Sequence, residues 1–559
     1  MKKSDLILGV SLLSIAAIAW AQGRGGGGWS TARADAQRTA WEHDNGYISL
    51  ELIGKGGFAL QWKRKLDNAP RQLNSLTDIA AAPGSGLNPP PTVIGGSSNN
   101  VYGIDDDTGG VSWKHHFNAA LPAGGTLACP GGLTASVSRP TSLTQQVSTS
   151  VQRGLGRGRG PAQGAVGEPG EGVPMAMMQG GMFGPGGGGP GGFAGGRGGS
   201  GGRGPGGPGG FADFGGGPGG RGASGGRGRG FGGPGRGTPQ GTYAVASDGM
   251  LHELGQAEGK DIEKPVRFLP ANANVTDMIA VNQILYAATT NGCGGAPNGV
   301  WAIDLASPEK TVVSWKSAAS PVGAPALSSR GTVYIATADG SVTALDPKTL
   351  AVKDSFHAAG AAFSSTPTIF SYKDHELVAV AAKDGRVFLL DADALGTPLS
   401  VSAATTTNKN YAPAAMATWE DINDGTRWLL VPAMGAKSNV IAFKVTGEAA
   451  KPSLQQEWTT RDLVTPAPPI VVNGLVFALS SGEYTPASGT PTLAEKISKS
   501  VPAVLYVYDG GSGKEVWNSA SAITSFMHSG GLWSSGGQVY VPTHDSTIYA
   551  FGFAMERHM

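Results

Sequence analysis

The sequence predicts an all-β protein: an eight-bladed β-propeller carrying a disordered Gly/Arg-rich insert. Three observations lead there. A unit of strand, polar turn and second strand ending in Asp recurs at roughly 40–60 residue intervals, the spacing of four-stranded blades. Within each unit apolar residues alternate with small or polar ones, which is the period of a strand and not of a helix. Glycine is also unevenly spread: of 91 glycines, 42 lie between Gly154 and Gly237, and the rest of the chain has an ordinary globular share.

Taken from the N-terminus, Lys2 and Lys3 precede an apolar run from Leu6 to Ile18, followed by Ala19, Trp20 and Ala21. That order of charge, apolar run and small residues reads as a secretory signal peptide over residues 1–21, cleaved near Ala21. The run is shorter than the ~20 apolar residues of a membrane span. The mature chain is therefore expected to be periplasmic or secreted, with no transmembrane span. Residues 22–46 read as an N-terminal extension, 47–553 as the propeller and 554–559 as a tail. Within Tyr47–Leu66, the stretch Leu60-Gln61-Trp62-Lys63 reads as the outer strand of a blade completed by Met527–Phe553. Pairing the two ends closes the ring and removes two exposed sheet edges.

Between those ends the unit reads Val101 to Asp105 with Thr108, Gly109 and Trp113, and Val300 to Asp304 with Trp315. It continues as Val342 to Asp346, Val387 to Asp391, and Leu505 to Asp509 with Gly513 and Trp517. Weaker copies at Thr242–Leu254, Val440–Trp458 and Val539–Phe551 bring the number of units to eight. The repeated Asp caps its turn through backbone amides, and the repeated Trp packs between blades; both are structural. The insert, residues 154–237, falls between the first strand of the second blade and its second strand, Thr242–Ala246. It has few apolar side chains to offset the entropy of ordering so much glycine. Its arginines, Arg157 to Arg236, allow a solvated loop or weak adhesion to anionic polymers.

Composition excludes several classes. A net charge of +1 does not suit a chain that coats nucleic acid, and two cysteines cannot build a disulfide-dense scaffold or a Cys-rich zinc module. There is no phosphate loop, no His-Glu-x-x-His and no Gly-x-Ser-x-Gly. His115 and His116 are adjacent on an outer strand and face opposite ways, a poor chelate by themselves. His528, His544, Asp339 and Asp545 fall where side chains could line a central pocket.

The repeated turn and Trp motifs resemble the quinoprotein alcohol dehydrogenase superfamily of eight-bladed propellers, which includes pyrroloquinoline quinone (PQQ) dehydrogenases and outer-membrane-assembly propeller lipoproteins. The resemblance runs from about Trp29 to Phe553, less the insert, and specifies fold better than function. Trp29, Asp35, Arg38 and Trp62 resemble the N-terminal pattern of the dehydrogenase branch. Tyr286 to Gly292 resembles its Gly-Asn segment, which implies Asn291 as a Ca²⁺ ligand. Ala381 to Asp391 resembles its Lys-x-Gly turn, which implies Lys383 as a contact to the quinone oxygens. Asn-Gly and Lys-Asp-Gly are equally good hairpin turns. The branch's catalytic Asp has no counterpart: Phe356 to Pro367 contains no carboxylate, and Ser364, Ser365 and His357 are poor substitutes for a base. The adjacent-cysteine pair and a haem-binding Cys-x-x-Cys-His are also missing, so electrons would have to leave to a separate acceptor.

Two functions follow. One is an exported binding or scaffold platform for envelope protein or polymer partners, without cofactor or nucleic acid. The other is a dehydrogenase of alcohols or sugars using PQQ and Ca²⁺, its catalytic residues unknown. Cys129 and Cys293 belong to connections on one face of neighbouring blades, so they form either a disulfide or a buried apolar pair.

Overall fold

The computed structural model describes residues 29–43, 45–81, 90–143 and 241–554. The signal-peptide segment, the Gly-rich insert and residues 555–559 lie outside the described residues. The described chain forms eight sheets, the eight blades expected from the repeat count. The first blade shows the plan: Leu76–Ala80, Thr92–Gly96, Asn100–Ile104 and Val111–His116 pair antiparallel from the axis outward. The second blade is reduced. It has Thr242–Val245, Met250–Leu254 and Val266–Arg267, and a single bridge from Ser138 to Tyr243 stands in the innermost position.

Blade closure is as the sequence indicated. Ala59–Lys65 pairs antiparallel with Thr547–Gly552, from Ala59 opposite Gly552 to Lys65 opposite Thr547. A strand from the N-terminal part of the chain is thus the outer strand of the last blade, which closes the ring.

The repeated turn explains how neighbouring blades register. Asp105 accepts from the N–H and hydroxyl of Thr108, and Asp509 accepts from the N–H of Ser512. Three of these turns receive the Trp of the preceding blade. The Trp62 indole donates to Asp106 O at 2.9 Å, Trp113 to Gln256 O at 2.8 Å and Trp458 to Gly510 O at 3.0 Å. Gly259 shows why a glycine ends the turn. Its φ is +64°, and a Cβ there would overlap the Trp113 ring. Gly259→Ala should therefore cost about 3 kcal/mol, combining left-handed strain with overpacking. Gly396→Ala, where a Cβ meets nothing within 4 Å, should change stability by less than ~0.5 kcal/mol. Urea melts of the two variants check this, and equal midpoints would refute the docking role.

Residues 29–42, expected only as an extension, run along the propeller axis. In a propeller the innermost strands point an unpaired edge at the channel, and those N–H groups need acceptors. The segment supplies them in blade order. Trp29 O accepts from Ala81 N at 2.7 Å, Ser30 O from Arg139 N at 2.8 Å and Ala36 O from Leu327 N at 2.8 Å. Gln37 O accepts from Ile369 N, Thr39 O from Thr418 N and Ala40 O from Val471 N, each at 2.9 Å. The segment ends as Trp41–Glu42, parallel to Ile470–Val472 of the seventh blade. Turning so tightly needs Arg33, Ala34, Arg38 and Ala40 at positive φ. Each costs on the order of 1–2 kcal/mol, which the buried hydrogen bonds offset.

Candidate functional site

The axial segment closes the channel, and above it on one face lies a funnel made by the approaches to the innermost strands. These approaches are built of small residues and prolines: Gly323-Ala324-Pro325, Pro413-Ala414-Ala415, Pro466-Ala467-Pro468 and Ser529-Gly530-Gly531. Without bulky side chains they leave a recess of two adjoining cavities, about 430 and 320 Å³. Asp78, Thr276, Asp277, His528, Ser529 and Gly530 line both.

Two β-bulges aim the acids. Leu76-Thr77-Asp78-Ile79 and Val275-Thr276-Asp277-Met278 are similar segments of the innermost strands of blades one and three. Ladder register shifts between Leu76 and Ile79 and between Val275 and Asp277. A bulge turns one side chain out of the alternating pattern, and here it brings a carboxylate to the funnel from an otherwise apolar strand.

Beneath the acids are two buried arginines from the axial segment. Arg33 Nη2 donates to Met416 O at 2.9 Å and Pro469 O at 2.7 Å. Arg38 donates from Nε to Pro325 O at 3.0 Å and from Nη1 to Ala32 O at 2.6 Å, and it lies 3.5 Å from Asp277 Oδ2. Asp277 also accepts from the Ser136 hydroxyl and, at 2.8 Å, from Met278 N. Burial pushes the Asp277 carboxyl up to about 7, against the pull of Arg38. Burial likewise raises Asp78, opposed by Arg33 and by the Gly531 N–H, and raises Asp35, which accepts from Thr39 N at 3.0 Å. Burial lowers Arg33 to about 10.

The wall also holds Glu483, His528 and Lys496. His528 Nδ1 lies 2.7 Å from one Glu483 oxygen, and Lys496 Nζ binds the other. Burial pushes the Glu483 carboxyl up, but these two partners outweigh it and hold the group below its ordinary value. Tyr411, the one aromatic side chain on the wall besides His528, donates its hydroxyl to Pro466 O at 2.8 Å.

Of the residues singled out in the sequence, only His528 lines the funnel. Asn291 is exposed at φ 62°, and its Nδ2 donates to Ala128 O at 3.0 Å. Lys383 is exposed in its turn, and its backbone N–H donates to Ala362 O. Both turns open on the funnel face, yet neither residue is among those lining the cavities. Ser364 donates to Pro413 O, Ser365 accepts from Ala381 N, and His357 lies 3.1 Å from the Ser341 hydroxyl. His544 stacks on Phe526 and bonds Leu73 O, while Asp339 and Asp545 cap their own turns. Cys129 and Cys293 are joined by a disulfide with Cα atoms 5.6 Å apart, beside the Asn291 turn. Sequence reading passed over Arg33, Asp78, Asp277, Glu483 and Lys496. The available signal was the Thr-Asp pair recurring inside two apolar strands.

The comparisons with known proteins agree with this architecture. A family described as outer membrane protein assembly factor BamB matches residues 302–501. Two solved quinohemoprotein alcohol dehydrogenases are similar in structure. The one from Comamonas testosteroni has a TM-score of 0.53 at 12% identity, covering 97% of this chain and 83% of its own. The one from Pseudomonas putida HK5 has a TM-score of 0.54 at 10% identity, covering 95% and 81%. BamB from Moraxella catarrhalis aligns over 90% of this chain and 99% of its own, at 12% identity and a TM-score of 0.47. No curated protein matches the sequence. In fold the chain is an eight-bladed β-propeller, similar to these two quinohemoprotein alcohol dehydrogenases.

The funnel residues do not fit PQQ. That cofactor is a flat tricarboxylate, which needs an aromatic plane to stack on and uncommitted cations to neutralise it. The wall offers Tyr411 and three carboxylates, Asp78, Asp277 and Glu483, against two cations: Lys496, already bound to Glu483, and Arg33, whose Nη2 is held by Met416 O and Pro469 O.

Proposed function

We propose that this protein is exported and acts as a binding or scaffold platform, holding an envelope protein or polymer partner at the mouth of the axial funnel. One observation carries the reading: the funnel is a concave recess whose floor is the protein's own axial segment, with Asp277 paired to Arg38 and Glu483 to Lys496 and His528. Such a surface presents fixed polar groups for recognition. The match to a family described as an assembly factor supports it. Export is supported by the Lys2 to Ala21 pattern and by the Cys129–Cys293 disulfide, since disulfides persist in oxidising compartments. Among the described residues no helix is long and apolar enough to cross a membrane.

The second reading, a dehydrogenase using PQQ and Ca²⁺ and an external electron acceptor, draws on the His528–Glu483 pair. Among the described residues His528 Nε2 has no hydrogen-bond partner, so a base is available on the wall. A photo-crosslinking residue at Thr485, on the funnel wall, should trap one discrete partner in cells. The same residue at Lys353, on an outer strand of blade four, should trap none. Purified protein given PQQ and Ca²⁺ should retain no quinone and reduce no dye with alcohols. Quinone retention with turnover, and no crosslink from Thr485, would replace the first reading with the second.

A further inference from the structure

His115, noted in the sequence as half of a poor chelating pair, meets better partners across a blade boundary. It lies on the outer strand of blade one, Val111–His116. His252 lies on Met250–Leu254 of blade two, and Asp261 in the turn that follows. Each can offer one ligand atom, and the three atoms all lie within 4.8 Å of one another. His116 points elsewhere, with Nδ1 2.9 Å from Asn100 Oδ1. This is the strand alternation that makes adjacent histidines a poor chelate and leaves His115 free to face the next blade.

We propose that His115, His252 and Asp261 bind one Zn²⁺-class divalent ion that ties blade one to blade two. Two imidazoles and a carboxylate are a common zinc donor set, with water completing four-coordination. Tetrahedral geometry at Zn–N ≈ 2.0–2.1 Å places ligand atoms ~3.3 Å apart. His252 Nδ1 and Asp261 Oδ1 are at 2.9 Å, and the ligand atom of His115 lies within 4.8 Å of the other two. One wall of the site is apolar: the buried Phe117 ring lies 4.8 Å from the His115 ring and 4.2 Å from the His252 ring. Such a wall limits solvent access to a bound ion.

The location gives the ion a purpose. Blade two is the reduced blade, with one bridge in place of an inner strand. On the funnel face the disulfide ties the chain just before that bridge, at Cys129, to blade three at Cys293. On the other flank the Trp113 indole reaches Gln256 O, and the metal would add a second tie between the same two blades.

The test uses the full mature, untagged chain, stripped with chelator and titrated with Zn²⁺, with Co²⁺ as a spectroscopic probe. One equivalent of Zn²⁺ should bind and raise the melting temperature, and Co²⁺ should show d–d bands of a four-coordinate N/O site. His115→Ala and His252→Ala should each weaken Zn²⁺ binding by more than about tenfold and abolish the Co²⁺ bands. His116→Ala should bind as the parent does. Metal-free melting of each variant shows whether it is folded, and Asp261→Asn provides a milder loss should an alanine variant fail to fold. Absence of stoichiometric binding by the folded parent, or unchanged affinity in folded His115→Ala or Asp261→Asn, would overturn the proposal.

Discussion

A chain beginning at Asp67 should not unfold cooperatively, and should be recovered mainly as aggregate. The truncation removes both devices by which the N-terminus completes the ring. It strips Ala59–Lys65 from the last blade, leaving Thr547–Gly552 as an unprotected edge. It also removes the axial acceptors, so six inner-strand N–H groups lose their partners. Five large apolar side chains go with them: Trp29, Ile48, Ile53, Phe58 and Leu66, none more than 5% exposed. At ~1.5–3 kcal/mol each their burial amounts to about 10 kcal/mol, the size of a typical net stability. A second chain beginning at Tyr47 keeps the closing strand and loses only the axial segment, and should still melt cooperatively, at a lower temperature than the intact protein. Calorimetry and size-exclusion chromatography decide it, and an unchanged melting temperature in the Asp67 chain would refute both roles.

Arg38→Met should destabilise the protein by about 3–5 kcal/mol at neutral pH, because it leaves the Asp277 carboxylate buried without its cation. The loss should depend on pH. Burial lifts Asp277 in the folded protein to about 7 from an ordinary value of 3.8, so the folded state holds a proton that the unfolded chain gives up. That contribution is fully present below about 4 and is lost as pH rises through 7. Burial raises Asp78 and Asp35 as well, which gives them the same sign. The parent should therefore lose stability from pH 5 to pH 8. Without Arg38 the Asp277 carboxyl rises further, so the deficit of Arg38→Met should be smallest at pH 5 and grow toward pH 8. Adding Asp277→Asn should flatten the profile and recover part of the loss. A deficit of equal size at every pH would show that Asp277 is not the group responsible.

Local signals made the fold legible. Alternation marked the strands, Asp with Thr or Ser and Gly marked the turns, and the orphan strand at Leu60–Lys63 announced closure, because each depends on residues a few positions apart. Within the funnel only His528 was legible. Asn291 and Lys383 were read from turn motifs, and their turns do open on the funnel face, but a turn motif says nothing about radial distance from the axis. Asp78 and Asp277 sit in strands that read as plain apolar core, and the bulges that turn them inward leave no mark in the alternation.

By itself, then, the sequence determined the all-β class, the eight blades, the closure of the ring and the packing of the repeated Trp between blades. Tertiary structure alone decided that residues 29–42 fill the axis, because a belt is stabilised by acceptors offered to six separate blades and not by any periodicity of its own. It alone brought Arg38 to Asp277, 239 positions away, and His115 to His252 and Asp261. Those meetings arise from the circular arrangement of the blades, which places residues distant along the chain side by side, and chemistry that depends on such meetings has no local signature.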